Sequence, residues 1–165
     1  MNKILVIGCP GGGKSTFARR LAALTGLPLY HIDMLYWNAD KTTVPKELFR
    51  ARIAEITAKD AWIIDGNYSS TMEARMEACD TVFFLDYPTK LCLAGVEARM
   101  GKPRPDMPWV ETEWDEELRH HIETFRKENY PKIFALLEKH KEKEIHRFLS
   151  REDAEEFLSK FKPHP

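Results

Sequence analysis

The sequence has no long apolar run, few cysteines and no excess of either charge, and each absence excludes a class of protein. No stretch approaches the roughly 18 apolar residues of a membrane span, so we expect no membrane partner. Cys9, Cys79 and Cys92 are odd in number and lack C-x-x-C spacing, which argues against disulfides or zinc and favours a reducing cytoplasm. The 25 basic and 26 acidic residues nearly cancel, so we expect no direct nucleic-acid partner. We therefore expect a cytoplasmic protein.

The length of the chain predicts a single compact domain that spans residues 1–165. A chain of this size buries about two thirds of the surface that it exposes when unfolded. It therefore needs no metal or disulfide to support its core.

The most informative stretch is the octet GCPGGGKS, from Gly8 to Ser15, which fits the phosphate-binding pattern G-x-x-x-x-G-K-[ST]. Glycines let the backbone curl until successive N–H groups point at a phosphate, and Lys14 adds a cation for the β and γ oxygens. Ser15 offers a hydroxyl to Mg²⁺. We predict that the nucleotide contacts Gly8, Cys9, Pro10, Gly11, Gly12, Gly13, Lys14, Ser15 and Thr16. Cys9 is interpreted as a small side chain that fits the loop, with an activated thiolate as the alternative.

Two acidic residues follow apolar runs that have the character of strands. Asp33 comes after residues 29–32, and because parallel sheets place their chemistry at the carboxyl ends of strands, it is positioned to face a substrate. A turn or helix-capping role for Asp33 is the alternative. Tyr36 and Trp37 follow, and they either line a substrate pocket or pack a loop. Asp65 ends the run WIID, which is typical of a strand whose terminal carboxylate reaches Mg²⁺ or its waters.

The rest of the chain alternates predicted helices and strands. Unalternating apolar strands, each followed by a helix, indicate a parallel sheet covered on both faces. The predicted helices are one that Thr43 and Pro45 open and that runs to about Lys59, two at 69–79 and 89–100, a charged region over 111–143 that Pro131 divides, and a last helix capped by Ser150 and Asp153. The predicted later strands are 81–85 and an edge strand at 144–149.

The segment GKPRPDMP, residues 101–108, is too rich in proline to be helical throughout and predicts an exposed flap. Arg99 and Arg104 are expected to start in solvent and to bring cations onto a nucleotide's phosphates when the flap closes. The alternative is an ordinary solvent loop.

Together these pieces resemble the adenylate-kinase-related P-loop kinases, and among them the group labelled DNA topology modulation proteins. The likeness covers nearly the whole chain and rests on VIGCPGGGKSTFAR, LPLYHIDMLYW, WIIDGNYSSTMEAR, FFLDYP and GKPRPDMP. It implies a three-layer α/β/α fold of nucleotide-kinase type, with a five-stranded parallel sheet in the order 2-3-1-4-5. It also implies ATP, Mg²⁺ and a short mobile lid at about residues 99–110.

The resemblance also suggests roles for individual residues. Asp65 resembles the metal-holding aspartate that follows the third strand, and Arg75 falls near the position where nucleotide kinases hold an acceptor phosphate. The chain departs from adenylate kinases at Asn67 and Tyr68, where those enzymes have an aromatic-Pro-Arg run, and its lid is far shorter. The resemblance therefore leaves the acceptor open.

These observations predict an ATP-dependent phosphotransferase that moves the γ-phosphoryl group to a nucleotide or to another small molecule. The expected catalytic residues are Lys14, Asp33, Arg99 and Arg104; the metal residues are Ser15 and Asp65; the substrate-binding residues are Asp33, Tyr36, Trp37, Tyr68 and Arg75. Asp33 would orient or deprotonate an acceptor hydroxyl, whereas Arg75 would anchor an acceptor phosphate. The alternative is an ATP-binding regulatory protein with an indirect effect on DNA topology.

Overall fold

The computed structural model describes residues 1–162, and within them a five-stranded parallel sheet forms the centre of the molecule. Its strands are β1 (Lys3–Gly8), β2 (Leu29–His31), β3 (Trp62–Asp65), β4 (Thr81–Leu85) and β5 (Glu144–Phe148). They lie in the order β2-β3-β1-β4-β5, and every neighbouring pair is parallel. The predicted strand order is confirmed.

Helices connect the strands and cover the sheet. They are α1 (Lys14–Thr25), α2 (Ile32–Tyr36), α3 (Lys46–Thr57), α4 (Ser69–Ala78), α5 (Thr89–Arg99), α6 (Glu116–Glu128), α7 (Tyr130–Lys139) and α8 (Arg151–Lys160). The short helix α2 places Asp33 in a helical turn, although its position just after β2 is as predicted. Residues 111–114 are not helical, because α6 begins only after Asp115, whose side chain accepts a hydrogen bond from the N–H of Glu117.

The hydrophobic core is centred on the apolar strands of the sheet. Ile4 to Ile7 in β1 and Val82 to Phe84 in β4 are fully buried, as continuous apolar runs are when helices cover both faces of a parallel sheet. The edge strand β5 is less buried: Phe148 is buried, whereas Glu144 and Arg147 are exposed.

Parallel pairing brings the carboxyl ends of β1, β2 and β3 to the same edge of the sheet. The chain leaves β1 into the glycine loop, β2 into α2, and β3 into the turn at residues 66–68. The lid segment, defined as residues 99–110, begins at the last residue of α5, leads toward α6 and borders the same edge. None of the helices in residues 1–162 combines the length and apolar character needed to cross a bilayer.

Candidate active site

A cleft of about 1410 Å³ lies at this edge of the sheet. It brings together most of the residues singled out from the sequence. Its lining includes Lys14, Ser15, Asp33, Tyr36, Trp37, Asp65, Tyr68, Arg99 and Arg104. Arg75 is not part of the lining.

The glycine loop rests directly on the backbone of α5. Gly11 has φ +80°, and a Cβ at this position would lie 2.1 Å from the carbonyl oxygen of Cys92. A Cβ at Gly95 would lie 2.0 Å from the carbonyl oxygen of Gly11. Glycine is therefore required on both sides of this contact. Sequence reasoning missed Gly95, although an isolated glycine within a helical pattern was an available signal.

Lys14 is the first residue of α1 and faces the cleft. Its ammonium donates to the carbonyl oxygen of Cys9 at 3.3 Å. Burial lowers the pKa of Lys14, and the charges of Asp33 and Asp65 oppose that shift. A phosphate oxygen would be a stronger partner for this ammonium than a neutral carbonyl.

Cys9 is almost fully buried within the loop. A hydrogen bond with Cys92 and burial raise the pKa of the Cys9 thiol above its ordinary value. A raised pKa keeps the thiol neutral, so the position of Cys9 favours the small-side-chain interpretation over an activated thiolate.

The end of β3 presents Asp65 beside His31 of β2. The Asp65 carboxylate lies 2.9 Å from Nδ1 of His31, and an imidazole with its proton on Nδ1 donates to it. This contact fixes the orientation of a carboxylate that is only 4% exposed. Sequence reasoning missed His31: the resemblance made the second and third strands neighbours, but no local signal shows that these two side chains meet.

The residues present suit a magnesium ion that arrives with a nucleotide. Within residues 1–162, no group of three or more His, Cys, Asp or Glu side chains is arranged to hold a metal by itself. Mg²⁺ commonly takes one or two protein oxygens and completes its shell with phosphate oxygens and water. Ser15 and Asp65 are the oxygen-bearing side chains that would serve in this way.

Asp33 belongs to a chain of hydrogen bonds along the wall of the cleft. The hydroxyl of Tyr68 donates to Oδ1 of Asp33 at 2.6 Å, and Nε1 of Trp37 donates to the hydroxyl of Tyr68 at 2.8 Å. Burial raises the pKa of Asp33, whereas the hydrogen bond from Tyr68 and the charge of Lys14 lower it; the net direction is upward. Burial and the charge of Asp33 also raise the pKa of Tyr68, which therefore remains a donor.

Arg75 supports this wall from behind. Its guanidinium donates to the carbonyl oxygens of Gly66 at 2.8 Å, of Asn67, and of Tyr68 at 3.0 Å. These contacts hold the turn in which Tyr68 adopts φ +31°. Arg75 is fully buried, and burial lowers its pKa to about 9. The expectation that Arg75 anchors an acceptor phosphate is therefore corrected, because its donors face backbone carbonyls and not the cleft.

Asn67 joins the same turn to the glycine loop. Its amide oxygen accepts from the N–H of Gly8 at 3.1 Å, and its amide nitrogen donates to the carbonyl of Gly8 at 2.5 Å. The position where the sequence departs from adenylate kinases thus clamps two loops of the site together.

Aromatic rings continue the wall from α2 to the lid segment. The ring of Tyr36 lies 4.5 Å from that of Tyr68 and 5.0 Å from that of Trp37, measured between centroids. Trp37 in turn meets Trp109 of the lid segment, edge to face, at 5.2 Å. Tyr36 and Trp37 therefore both pack against neighbours and line the cleft, so the two interpretations left open by the sequence are compatible.

The lid segment is held by ion pairs. Arg99 pairs with Glu111 at 3.1 Å, and Arg104 pairs with Asp106 at 2.9 Å and with Glu111 at 2.5 Å. The side chains of Arg99 and Arg104 are only 21% and 16% exposed, so the expectation that they start in solvent is wrong. Asp106 of the lid segment and Glu111, which directly follows it, pair with the two arginines and so shield them from water.

Asp106 connects the lid segment to α1. Its carboxylate is 3% exposed and accepts from Arg19 of α1 at 3.3 Å. Burial acts to raise the pKa of Asp106, but the charge of Arg104 and a hydrogen bond from Ser15 outweigh it, and the net direction is downward. Sequence reasoning missed Asp106, which stands ionised beside the predicted metal residue Ser15.

Comparison with known proteins supports the fold. No protein-family model matches the chain, and no curated protein matches it in sequence. The chain is similar to the shikimate kinase from Acinetobacter baumannii in complex with shikimate, with a TM-score of 0.66, 19% identity, and coverage of 97% of this chain and 90% of that chain. It is also similar to the shikimate kinase from Bacteroides thetaiotaomicron, with a TM-score of 0.59, 17% identity, and coverage of 94% and 93%.

These similarities show that the chain has the P-loop kinase fold. At such low identity they carry no more than the fold. The resemblance to the DNA topology modulation proteins stays a prediction.

Proposed function

We propose that this protein is an ATP-dependent kinase that phosphorylates a hydroxyl group of a small molecule. The observation that carries the proposal is the chain Trp37–Tyr68–Asp33, which holds a partly buried carboxylate in the same cleft as the phosphate loop. A protein that only binds or hydrolyses ATP has no need of a second carboxylate with dedicated hydrogen-bond donors. A kinase that transfers to a hydroxyl group needs one beside its acceptor.

In this proposal the glycine loop and Lys14 hold the β and γ phosphates of ATP. Ser15 and Asp65 would hold Mg²⁺, which neutralises charge on the phosphate oxygens when it is bound. Tyr68 occupies Oδ1 of Asp33, so Oδ2 is the oxygen that accepts the proton of the acceptor hydroxyl. The acceptor oxygen forms a bond to the γ phosphorus, the bond from that phosphorus to the β–γ bridging oxygen breaks, and ADP leaves.

The raised pKa of Asp33 suits a proton acceptor. A base works best when its pKa approaches the pH at which the enzyme operates, and an ordinary aspartate lies far below neutral pH. Burial moves Asp33 in the favourable direction. Tyr68 limits that shift and fixes the carboxylate in the orientation in which Oδ2 meets the acceptor.

The lid segment would supply the remaining positive charge. Arg99 and Arg104 already border the cleft, where they pair with Glu111 and Asp106. To reach the transferring phosphoryl group they exchange those carboxylates for phosphate oxygens, which are also strong acceptors. The closed lid would then keep water away from the γ phosphate.

The test is phosphoryl transfer from γ-labelled ATP in the presence of Mg²⁺ and a pool of small hydroxyl compounds. We expect a labelled product other than inorganic phosphate with the wild type, and about 10² to 10³-fold slower formation of it with Lys14→Ala. Asp33→Asn, which keeps the shape but loses the base, should slow formation of the product by about 10² to 10⁴-fold. Label released only as inorganic phosphate would contradict the proposal and favour an ATP-binding regulatory protein.

A further inference from the structure

We infer that the acceptor is a neutral ring compound that carries a hydroxyl group, such as a nucleoside or a sugar, and not a phosphate ester or a carboxylate. This inference rests on the proposed function and narrows its substrate class. We define the acceptor side as the part of the cleft formed by Asp33, Tyr36, Trp37, Tyr68 and Trp109. The inference depends on three features of this region: its aromatic rings, the contacts that already engage the nearby arginines, and its negative charge.

The rings offer surfaces for a planar or partly apolar partner. Tyr36 and Trp37 meet at 90°, and Trp37 and Trp109 meet at 88°, so the rings form corners and not a flat stack. All three line the cleft, and none is fully buried. Rings arranged in this way contact the face and the edge of a bound ring at once. Trp109 belongs to the lid segment, so closure of the lid would bring this ring against the acceptor.

The arginines around the acceptor side are engaged with protein groups. Arg75 donates to the turn at residues 66–68, and Arg52 donates to the carbonyl of Leu35 at 2.9 Å. Arg19 is paired with Asp106. Recognition of a phosphate or carboxylate normally uses a guanidinium fork with free donors. Arg75 has committed its fork to backbone carbonyls, and Arg52 and Arg19 are each held by a contact to another protein group.

Lys41 lies at the rim of the cleft and does not take the place of these arginines as a binding group for an anionic acceptor. It is exposed, and its ammonium lies 6.0 Å from the centroid of the Trp109 ring. An exposed ammonium is strongly hydrated and contributes little to the binding of an anion in salt solution. Its position over the Trp109 ring is instead that of a cation–π contact.

The charge that acts on the acceptor side is negative. Asp33 lies within it, and the group that donates to its carboxylate is the neutral hydroxyl of Tyr68. Asp106 differs, because it is paired with Arg104 and Arg19. Lys14 also acts on Asp33, and in the proposed function it is bound to the nucleotide. An anionic acceptor would therefore meet repulsion from Asp33, whereas a neutral hydroxyl compound can donate to Asp33.

Two defined mixtures of pure compounds test this inference. The neutral mixture contains nucleosides, sugars and sugar alcohols; the anionic mixture contains nucleoside monophosphates, sugar phosphates and hydroxy carboxylates, shikimate among them. Each is incubated with γ-labelled ATP, Mg²⁺ and either the wild type or Lys14→Ala. We expect labelled product from the neutral mixture at a rate at least about tenfold above that from the anionic mixture, the size of effect expected from one unfavourable charge contact.

Each result separates this inference from the proposed function. A faster reaction with the anionic mixture would contradict the inference that the acceptor is neutral, but it would still support the proposed kinase activity. Absence of product from both mixtures above the Lys14→Ala background would contradict the kinase proposal and this inference together.

Trp109 supplies a second test with the best acceptor of the neutral mixture. Trp109→Ala should raise KM for that acceptor about tenfold, whereas Trp109→Phe, which keeps a ring, should change it by less than about threefold. KM for ATP should stay within about twofold in both variants. An unchanged acceptor KM in Trp109→Ala would show that the ring does not contact the acceptor and would overturn this assignment.

Discussion

The half of the cleft formed by residues 8–16 is built largely from backbone, whereas the acceptor side is built from side chains. The glycine loop packs against α5 with no side chain between them, at Gly11 and Gly95. The acceptor side depends on the tyrosine hydroxyl, the indole N–H and the carboxylate of Tyr68, Trp37 and Asp33. A backbone site suits phosphate, which is the same in every ATP molecule, and a side-chain site allows the acceptor to differ between proteins that share the fold.

The two halves are also stabilised differently. The loop is placed by the β1–β3 pairing, by α5, and by the clamp between Gly8 and Asn67. The acceptor side is held by the buried Arg75, which acts through the backbone of residues 66–68. Substitutions in the first half should therefore affect nucleotide binding, and those in the second should affect the acceptor and the pH dependence. The following predictions test that division.

Among the variants that test this division, the largest effect is expected from Lys14→Ala. This variant loses the cation that meets the β and γ phosphates, and we expect the transfer rate to fall about 10² to 10³-fold, the scale of losing one preorganised charge. The side chain faces the cleft and makes one hydrogen bond, to Cys9, so Tm should change little. Transfer rate and Tm are measured together, with Lys127→Ala, an exposed lysine outside the cleft, as the control. A wild-type rate in Lys14→Ala would remove the loop from the mechanism.

The lid segment comes next. Replacing both Arg99 and Arg104 by Ala should lower the transfer rate by roughly 10²-fold. It should also lower Tm, because Glu111 loses both of its partners while only 12% of its side chain is exposed. Adding Glu111→Gln to the double variant should recover part of the loss in Tm but none of the loss in transfer rate. Recovery of the rate in this triple variant would show that the arginines only neutralise Glu111.

The phosphate loop and the sheet were accessible from the sequence for different reasons. The loop is a local pattern, since its residues are neighbours in the chain and glycine is needed wherever the backbone curls around a phosphate. The strand order came from the resemblance to P-loop kinases and is confirmed by the pairing of the strands. Helix ends marked by capping residues, such as Ser150 before α8, were also predicted correctly.

The contacts that orient the site were not predicted, because their partners are distant in sequence. His31 and Asp65 are 34 residues apart, and Gly8 and Asn67 are 59 apart. The role expected for Arg75 came from the resemblance to nucleotide kinases, and no local signal shows that its guanidinium donates to three backbone carbonyls. The ion pair between Arg104 and Asp106 of the lid segment was also not predicted, although its partners are only two residues apart and their opposite charges were visible in the sequence.

A smaller effect is expected from Gly95→Ala. Alanine favours a helix, but here its Cβ would stand 2.0 Å from the carbonyl oxygen of Gly11, so the glycine loop must move. We expect a loss of about 2 to 3 kcal/mol in the free energy of unfolding, as for overpacking, and a Kd for ATP raised about tenfold. Gly101→Ala is the control: it meets no atom within 4 Å. Its φ of +75° should by itself cost about 1 kcal/mol. Equal losses in the two variants would contradict the close contact between loop and helix.

The smallest effect, and the most specific to the acceptor side, is expected from Tyr68→Phe. The variant keeps the ring but removes the hydroxyl that donates to Asp33, and that hydrogen bond lowers the pKa of the carboxyl. Without it the pKa of Asp33 rises further, so more of the base is protonated at a given pH. The rate should therefore fall by less than about tenfold at pH 8, the scale of one hydrogen bond, and by a larger factor at pH 6. Tyr30→Phe, whose hydroxyl meets only Lys59 at the surface, is the control. An acidic limb of the pH–rate profile that stays in place in Tyr68→Phe would mean that Asp33 is not the group that accepts the proton.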